Sequence, residues 1–177
     1  MARILGAPLP SLNNLSLDLQ EILDDGWTIG PAQSLLFMAR YGDGWGDWTV
    51  DAVAHMEREI NDVYIESRGL PTNKADFQSI MAARVFTFAI HAMLNARSME
   101  FADKLVCVIS IVDDEDYLTG GTTANFFTRR GDYPAVCDGD LETYRLEAMV
   151  VFDMRDAERW PVVLDEAARQ RNLLFGT

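Results

Sequence analysis

The sequence predicts an α+β fold: an N-terminal helical layer with one long buried helix, then a small, about three-stranded antiparallel sheet and a C-terminal helix. Three observations lead there. Apolar residues recur with a helical period as far as about residue 104, and strand-like runs take over from Leu105. Charge divides along the same lines: residues 1–72 and 105–177 each carry a net −7, while residues 73–104 carry +1. A near-neutral, apolar middle between two acidic parts is the pattern of a central helix buried between solvent-facing layers. Helices first and strands later is the order of an α+β domain. The 177 residues suit one domain. It divides into an extended arm (1–15), a mainly helical part (16–104), a mainly strand part (105–155) and a last helix (156–175).

Each element follows from local chemistry. Pro8, Pro10 and the Asn13-Asn14 pair keep the arm extended. Ser16 is placed to cap a short helix with Leu19, Ile22 and Leu23 on one face, and Gly26 stops it. Pro31 suits a first helical turn, so a second helix is expected through Leu35, Leu36, Met38 and Ala39 to Gly42. A turn-rich loop, Gly42 to Trp48, separates it from a third helix over Thr49–Arg68, with Val50, Val53, Met56, Ile60, Val63 and Tyr64 on its apolar side. Asp51, His55, Glu59, Asp62 and Glu66 take the other side, and Gly69 and Pro71 end it.

The long helix is expected from about Lys74 to Asp103, capped by Thr72 or Asn73. Its middle, Ile80 to Ile90, is apolar on nearly every face, as in a core helix packed on several sides. Leu105–Val112 is a continuous apolar run rich in β-branched residues and reads as an interior strand. Thr122–Arg129 is a second strand. Tyr144, Leu146, Ala148, Val150 and Phe152 alternate with Arg145, Glu147, Met149, Val151 and Asp153 in a third, half-buried one. Asp156 is expected to cap the last helix.

Composition limits function. Fifteen Lys plus Arg against 28 Asp plus Glu leave a net charge of −13, which argues against a nucleic-acid binder that works by neutralising phosphates. With 49% hydrophobic residues, whole-chain disorder is excluded. Cys107 lies in apolar sequence far from Cys137, as expected of reduced thiols in an intracellular protein. Met1 to Pro8 carries one charge and a short, broken apolar stretch, unlike a secretory signal. The longest apolar stretch, Val85–Leu94, is well short of the ~20 residues that span a bilayer. A cytoplasmic protein is expected, without a membrane partner. Thirteen of the fifteen basic residues are Arg, which suits fixed pairs with carboxylates, although genomic base composition accounts for the larger share of the bias.

Catalytic patterns fail one by one. Asp51, His55 and Glu59 share a helix face, but the second His of a helical zinc motif is missing. His55-Met56-Glu57 matches half of a zinc deaminase signature, and its Cys-containing half is absent. His91 stands in the core helix, where a neutral, hydrogen-bonded imidazole is expected; a Cys107–His91 pair gains nothing from an apolar strand, which raises a thiol's pKa. Asp113-Asp114-Glu115-Asp116 lacks the spacing and the Gly of a calcium loop, and Gly120-Gly121-Thr122-Thr123 lacks the Lys of a phosphate loop. Arg129-Arg130 is the only adjacent basic pair and is expected in salt bridges, internal or with a partner.

No catalytic residue, metal ligand or cofactor is therefore expected. What remains is acidity and loop aromatics. Trp27, Trp45 and Trp48 beside Asp43 and Asp47 form one candidate partner-binding set, and Asp113, Asp114, Glu115 and Asp116 a second. These Trp either fold back as lids on the helical core or act as anchors ringed by polar groups. The expected function is a non-catalytic acidic protein docking on a basic partner, in the manner of an immunity protein or an inhibitor of a nucleic-acid-binding protein. Two alternatives stay open. One is a structural subunit of a phage or virus particle whose arm contacts neighbouring copies. The other is an enzyme with a site around His55, Asp51 and Glu59.

Overall fold

A computed structural model describes residues 12–42, 48–112, 121–130 and 147–157. Within them helices dominate before residue 97 and the long strands follow residue 104, with three short strands set among the helices, an α+β arrangement. The first helix, α1 (Leu17–Asp25), begins after Ser16 in extended conformation and ends at Gly26, whose φ of 70° suits glycine. Leu19, Ile22 and Leu23 form its buried face, as expected.

The chain then departs from its sequence expectation. Instead of a helix from Pro31 to Gly42, it forms a ribbon of β1 (Trp27–Ile29) and β2 (Leu35–Phe37), with Trp27 opposite Phe37. Pro31 opens only a single turn, Pro31–Gln33. Ala32 (φ 48°) and Gln33 (φ 62°) adopt left-handed backbone, through which a right-handed helix cannot propagate. Leu35, Leu36 and Phe37 are all fully buried, which suits a strand enclosed on both faces.

A second correction concerns the next helix. Thr49 caps α2 (Val50–Ile60), its Oγ1 accepting from the Ala52 N–H, but the helix stops at Asn61 and not at Arg68. Asp62–Tyr64 forms β3, with Val63 buried between two exposed neighbours. Antiparallel pairing of residues 62–64 with residues 123–125 is what takes them out of the helix. After Asn73, whose Oδ1 caps the Asp76 N–H, α3 runs from Lys74 to Ala96. It ends short of the expected Asp103, because the chain turns back through Ala102–Lys104 with Phe101 left-handed (φ 70°).

Four antiparallel strands form the main sheet in the order β3-β5-β4-β6, with β4 (Leu105–Val112), β5 (Thr122–Thr128) and β6 (Glu147–Asp153). Central β4 pairs on both sides, so that Cys107 lies between Phe126 and Phe152. Its inner residues, Leu105, Cys107, Ile109 and Ile111, pack with Phe126, Phe152 and α3 in the main core. Its outer residues Val106 and Val108 join Phe127, Met149 and Val151 in a smaller cluster. Burial on both faces is why β4 is apolar at every position except Ser110.

α3 supplies Phe77, Met81, Val85, Phe88 and Met93 to the core, and α1 packs onto it. It has the length and apolar character to cross a membrane, but here those faces are used in packing. β6 is followed by a helical turn opening at Met154. Its cap is Asp153, three residues before the expected Asp156. Asp153 Oδ1 accepts from the N–H groups of Arg155 and Asp156, and Asp156 Oδ2 accepts from the Asp153 N–H, a reciprocal capping box. The arm before Leu12, the start of the third predicted strand and the helix beyond Ala157 lie outside the described residues.

Candidate functional site

The sequence-predicted contact residues do not come together as one described patch. Asp43, Trp45 and Asp47, and likewise Asp113, Asp114, Glu115 and Asp116, lie outside the described residues. Trp27 is a core residue, which corrects the expectation that it faces a partner. It is 7% exposed, stacks on Phe37 at 3.9 Å, meets Phe126 edge-on at 5.5 Å and donates its indole N–H to the Ala92 carbonyl at 2.8 Å. Its ring and indole contacts come from Phe37, Ala92 and Phe126, so its burial depends on strands and a helix beyond its own segment. Trp48 is half-buried, with Tyr41 edge-on at 6.2 Å.

The histidines separate. His55 is exposed and pairs with Glu59 one turn along α2, Nε2 to Oε1 at 3.1 Å. An exposed pair of this kind is worth little. Among the described residues no cluster of three His, Cys, Asp or Glu is placed to hold a metal ion. His91 is half-buried on α3, and burial lowers its pKa from the ordinary imidazole value.

The most elaborate polar arrangement was missed by the sequence reading. Glu57 on α2 and Asn61 at its C-terminal cap, one turn apart, are both fully buried. Glu57 Oε1 accepts from the Leu35 N–H (3.1 Å) and the Thr128 hydroxyl (2.5 Å), and Oε2 accepts from Arg130 Nη1 (2.5 Å). Asn61 Oδ1 accepts from the Phe37 N–H at 3.1 Å, and its Nδ2 donates to the carbonyls of Leu35 (2.7 Å) and Phe126 (3.3 Å). β2 meets β1 with one edge, and these two side chains complete its other edge while reaching β5. They therefore lock the ribbon to the sheet. Arg130 also donates from Nε to the Ala32 carbonyl, so the pair closes over the left-handed turn. This is the internal salt bridge expected of the Arg129-Arg130 pair. A usable signal was present: Glu57 and Asn61 stand four and eight residues after Val53, in the same helical row as that buried residue.

Comparison with known protein families, curated proteins and solved structures finds no match. Function therefore has to be argued from the chain's own surface.

The clearest charged feature of that surface is α1. Asp18, Glu21, Asp24 and Asp25 are all exposed, and the helix carries no basic residue. Leu17, at its start, is 80% exposed. None of the four acids forms an ion pair among the described residues. Asp24 and Asp25 occupy the last turn, where the helix dipole is negative and an acid is destabilising. Stability alone would favour Lys or Arg there.

Proposed function

We propose that this chain is a non-catalytic interaction protein that docks an acidic face on a basic, nucleic-acid-binding protein. The observation that carries this reading is the α1 surface. Four acids without an ion pair among the described residues follow the exposed Leu17 along the helix, and two of them sit where they weaken their own helix. Charge kept at a cost to the fold fits a role in recognition, since functional surfaces are the usual place where stability is given up. A net charge of −13 adds long-range attraction to a basic partner, which raises the encounter rate and orients the approach. Leu17 supplies the apolar contact that such a charged surface needs once water is expelled.

The test is a pull-down from the native host with the full chain at low and high salt, alongside a variant carrying Asp18→Lys, Glu21→Lys, Asp24→Lys and Asp25→Lys. A basic protein held by the wild type at low salt, released as salt rises and not held by the variant, supports docking through α1. Equal capture by both chains overturns it. Assembly of the purified chain into a large closed particle overturns it too, in favour of a structural subunit.

A further inference from the structure

In this acidic protein the described residues include one distinctly basic cavity. It has a volume of about 300 Å³, and Lys104, Arg129 and Arg130 line it together with Ala32, Gln33 and Phe101. The turn Ala102–Lys104 and the end of β5 place the cations side by side, the Arg129 N–H donating to the Lys104 carbonyl at 2.9 Å. Three further features set this cavity apart.

The first is an unsatisfied donor. Arg130 gives Nη1 to Glu57 and to the Thr128 carbonyl, and Nε to Ala32, but its buried Nη2 has no hydrogen-bond partner. Buried guanidinium donors are normally paired; this one lies beside the cavity without open surface, so a ligand completes it only once the guanidinium turns outward. The second is charge. Glu57 neutralises Arg130, whereas Lys104 and Arg129 have no carboxylate partner among the described residues. Lys104 Nζ lies 5.5 Å from the centre of the Phe101 ring, a cation held over an aromatic face. The third is backbone strain. Ala32, Gln33 and Phe101 are all the non-glycine residues with positive φ among the described residues, and all three line this one cavity. Such conformations are unfavourable for residues other than glycine and gather where structure serves binding.

We infer that this cavity binds a small organic phosphate monoester. Two uncompensated positive charges match a phosphate carrying about −1.5 to −2 at neutral pH, where a single carboxylate would leave one cation unbalanced. Arg129 supplies directed hydrogen bonds to phosphate oxygens, joined by Arg130 once its guanidinium turns outward, and Lys104 supplies a mobile charge. The volume exceeds what a bare phosphate fills and lies at the lower end of the range for small-molecule sites, leaving room for an organic group against Phe101. The site is separate from α1 and does not depend on the docking reading.

The experiment is calorimetric titration of the full chain, in phosphate-free buffer, with phenyl phosphate, inorganic phosphate and benzoate. It is repeated on Lys104→Ala/Arg129→Ala, two exposed positions at which the fold should survive, as its unliganded melting temperature checks. Saturable binding of phenyl phosphate is expected, tighter than either control, weakening with salt, and reduced about tenfold or more in the double variant. Absence of saturable binding overturns the inference. So does equal affinity for benzoate or for inorganic phosphate, or undiminished binding by a folded double variant.

Discussion

Glu57 and Arg130 stand 73 residues apart in sequence and meet as an ion pair whose carboxylate is fully buried. A buried pair is not stabilising by default, since both ions lose hydration. This one is sustained because every hydrogen bond of Glu57 also fixes something structural, namely β2 through Leu35 and β5 through Thr128. Glu57→Ala leaves the Leu35 N–H and Arg130 without their partner, and urea denaturation should register a loss of about 3–5 kcal/mol. A double-mutant cycle with Arg130→Ala should give a coupling of about 1–3 kcal/mol. Additive losses would mean that the two residues act independently.

Asn61 makes the sharper test of the junction, because an isosteric change reverses its chemistry. Asn61→Asp keeps an acceptor for the Phe37 N–H but turns the donor that serves Leu35 and Phe126 into a second acceptor. Two carbonyls would then face a carboxylate oxygen. The expected loss at neutral pH is on the order of 3 kcal/mol, from groups left unpaired at about 1–3 kcal/mol each. Acidification should return part of it relative to wild type, since a protonated carboxyl donates again. Chemical denaturation at pH 7 and pH 4.5 measures both.

The same junction explains what sequence could and could not reveal. β4 was legible to the residue because its run is apolar on both faces, and the start of α3 because Asn73 is a local cap. Gly26, with its positive φ, likewise marked the end of α1 locally, whereas Ser16 precedes the helix in extended conformation without a side-chain capping bond. The sequence predicts helix at β2 and β3 because each has only three residues, too few to display a period. Their conformation is set from outside. β2 is held by side chains 22 to 26 residues away, and β3 by pairing with β5. Trp27 failed as a surface candidate for the same reason, since Phe37, Ala92 and Phe126 enclose it from three distant segments. The basic cavity was half visible. Arg129-Arg130 stood out as a pair, but the turn that brings Lys104 and Phe101 beside it left no local signature.

His91 should make stability depend on pH. Burial lowers its pKa in the folded chain, so the unfolded chain takes up a proton first as pH falls. Stability contributed by the neutral imidazole is present above the unfolded pKa of about 6.5 and declines as pH drops below it, levelling once the folded form is also protonated. His91→Gln removes that proton uptake. The difference in unfolding free energy between wild type and variant should therefore shift against the wild type between pH 7.5 and pH 5.5. A constant difference across that range would remove His91 as a source of pH sensitivity.

The acids that end α1 give opposite signs in two assays. Asp24→Lys and Asp25→Lys replace a repulsive interaction with the helix dipole by an attractive one, and each should raise stability by about 0.3–1 kcal/mol. Neither residue is buried, so packing is not disturbed. The same substitutions remove negative charge from the surface assigned to the basic partner, so association should slow, with the salt dependence of k_on reduced. Thermal denaturation gives the first quantity and stopped-flow association with the captured partner the second. A rise in stability with unchanged association would assign the two acids to neither fold nor recognition. A fall in stability would mean that an unseen contact, and not the helix dipole, governs this end of α1.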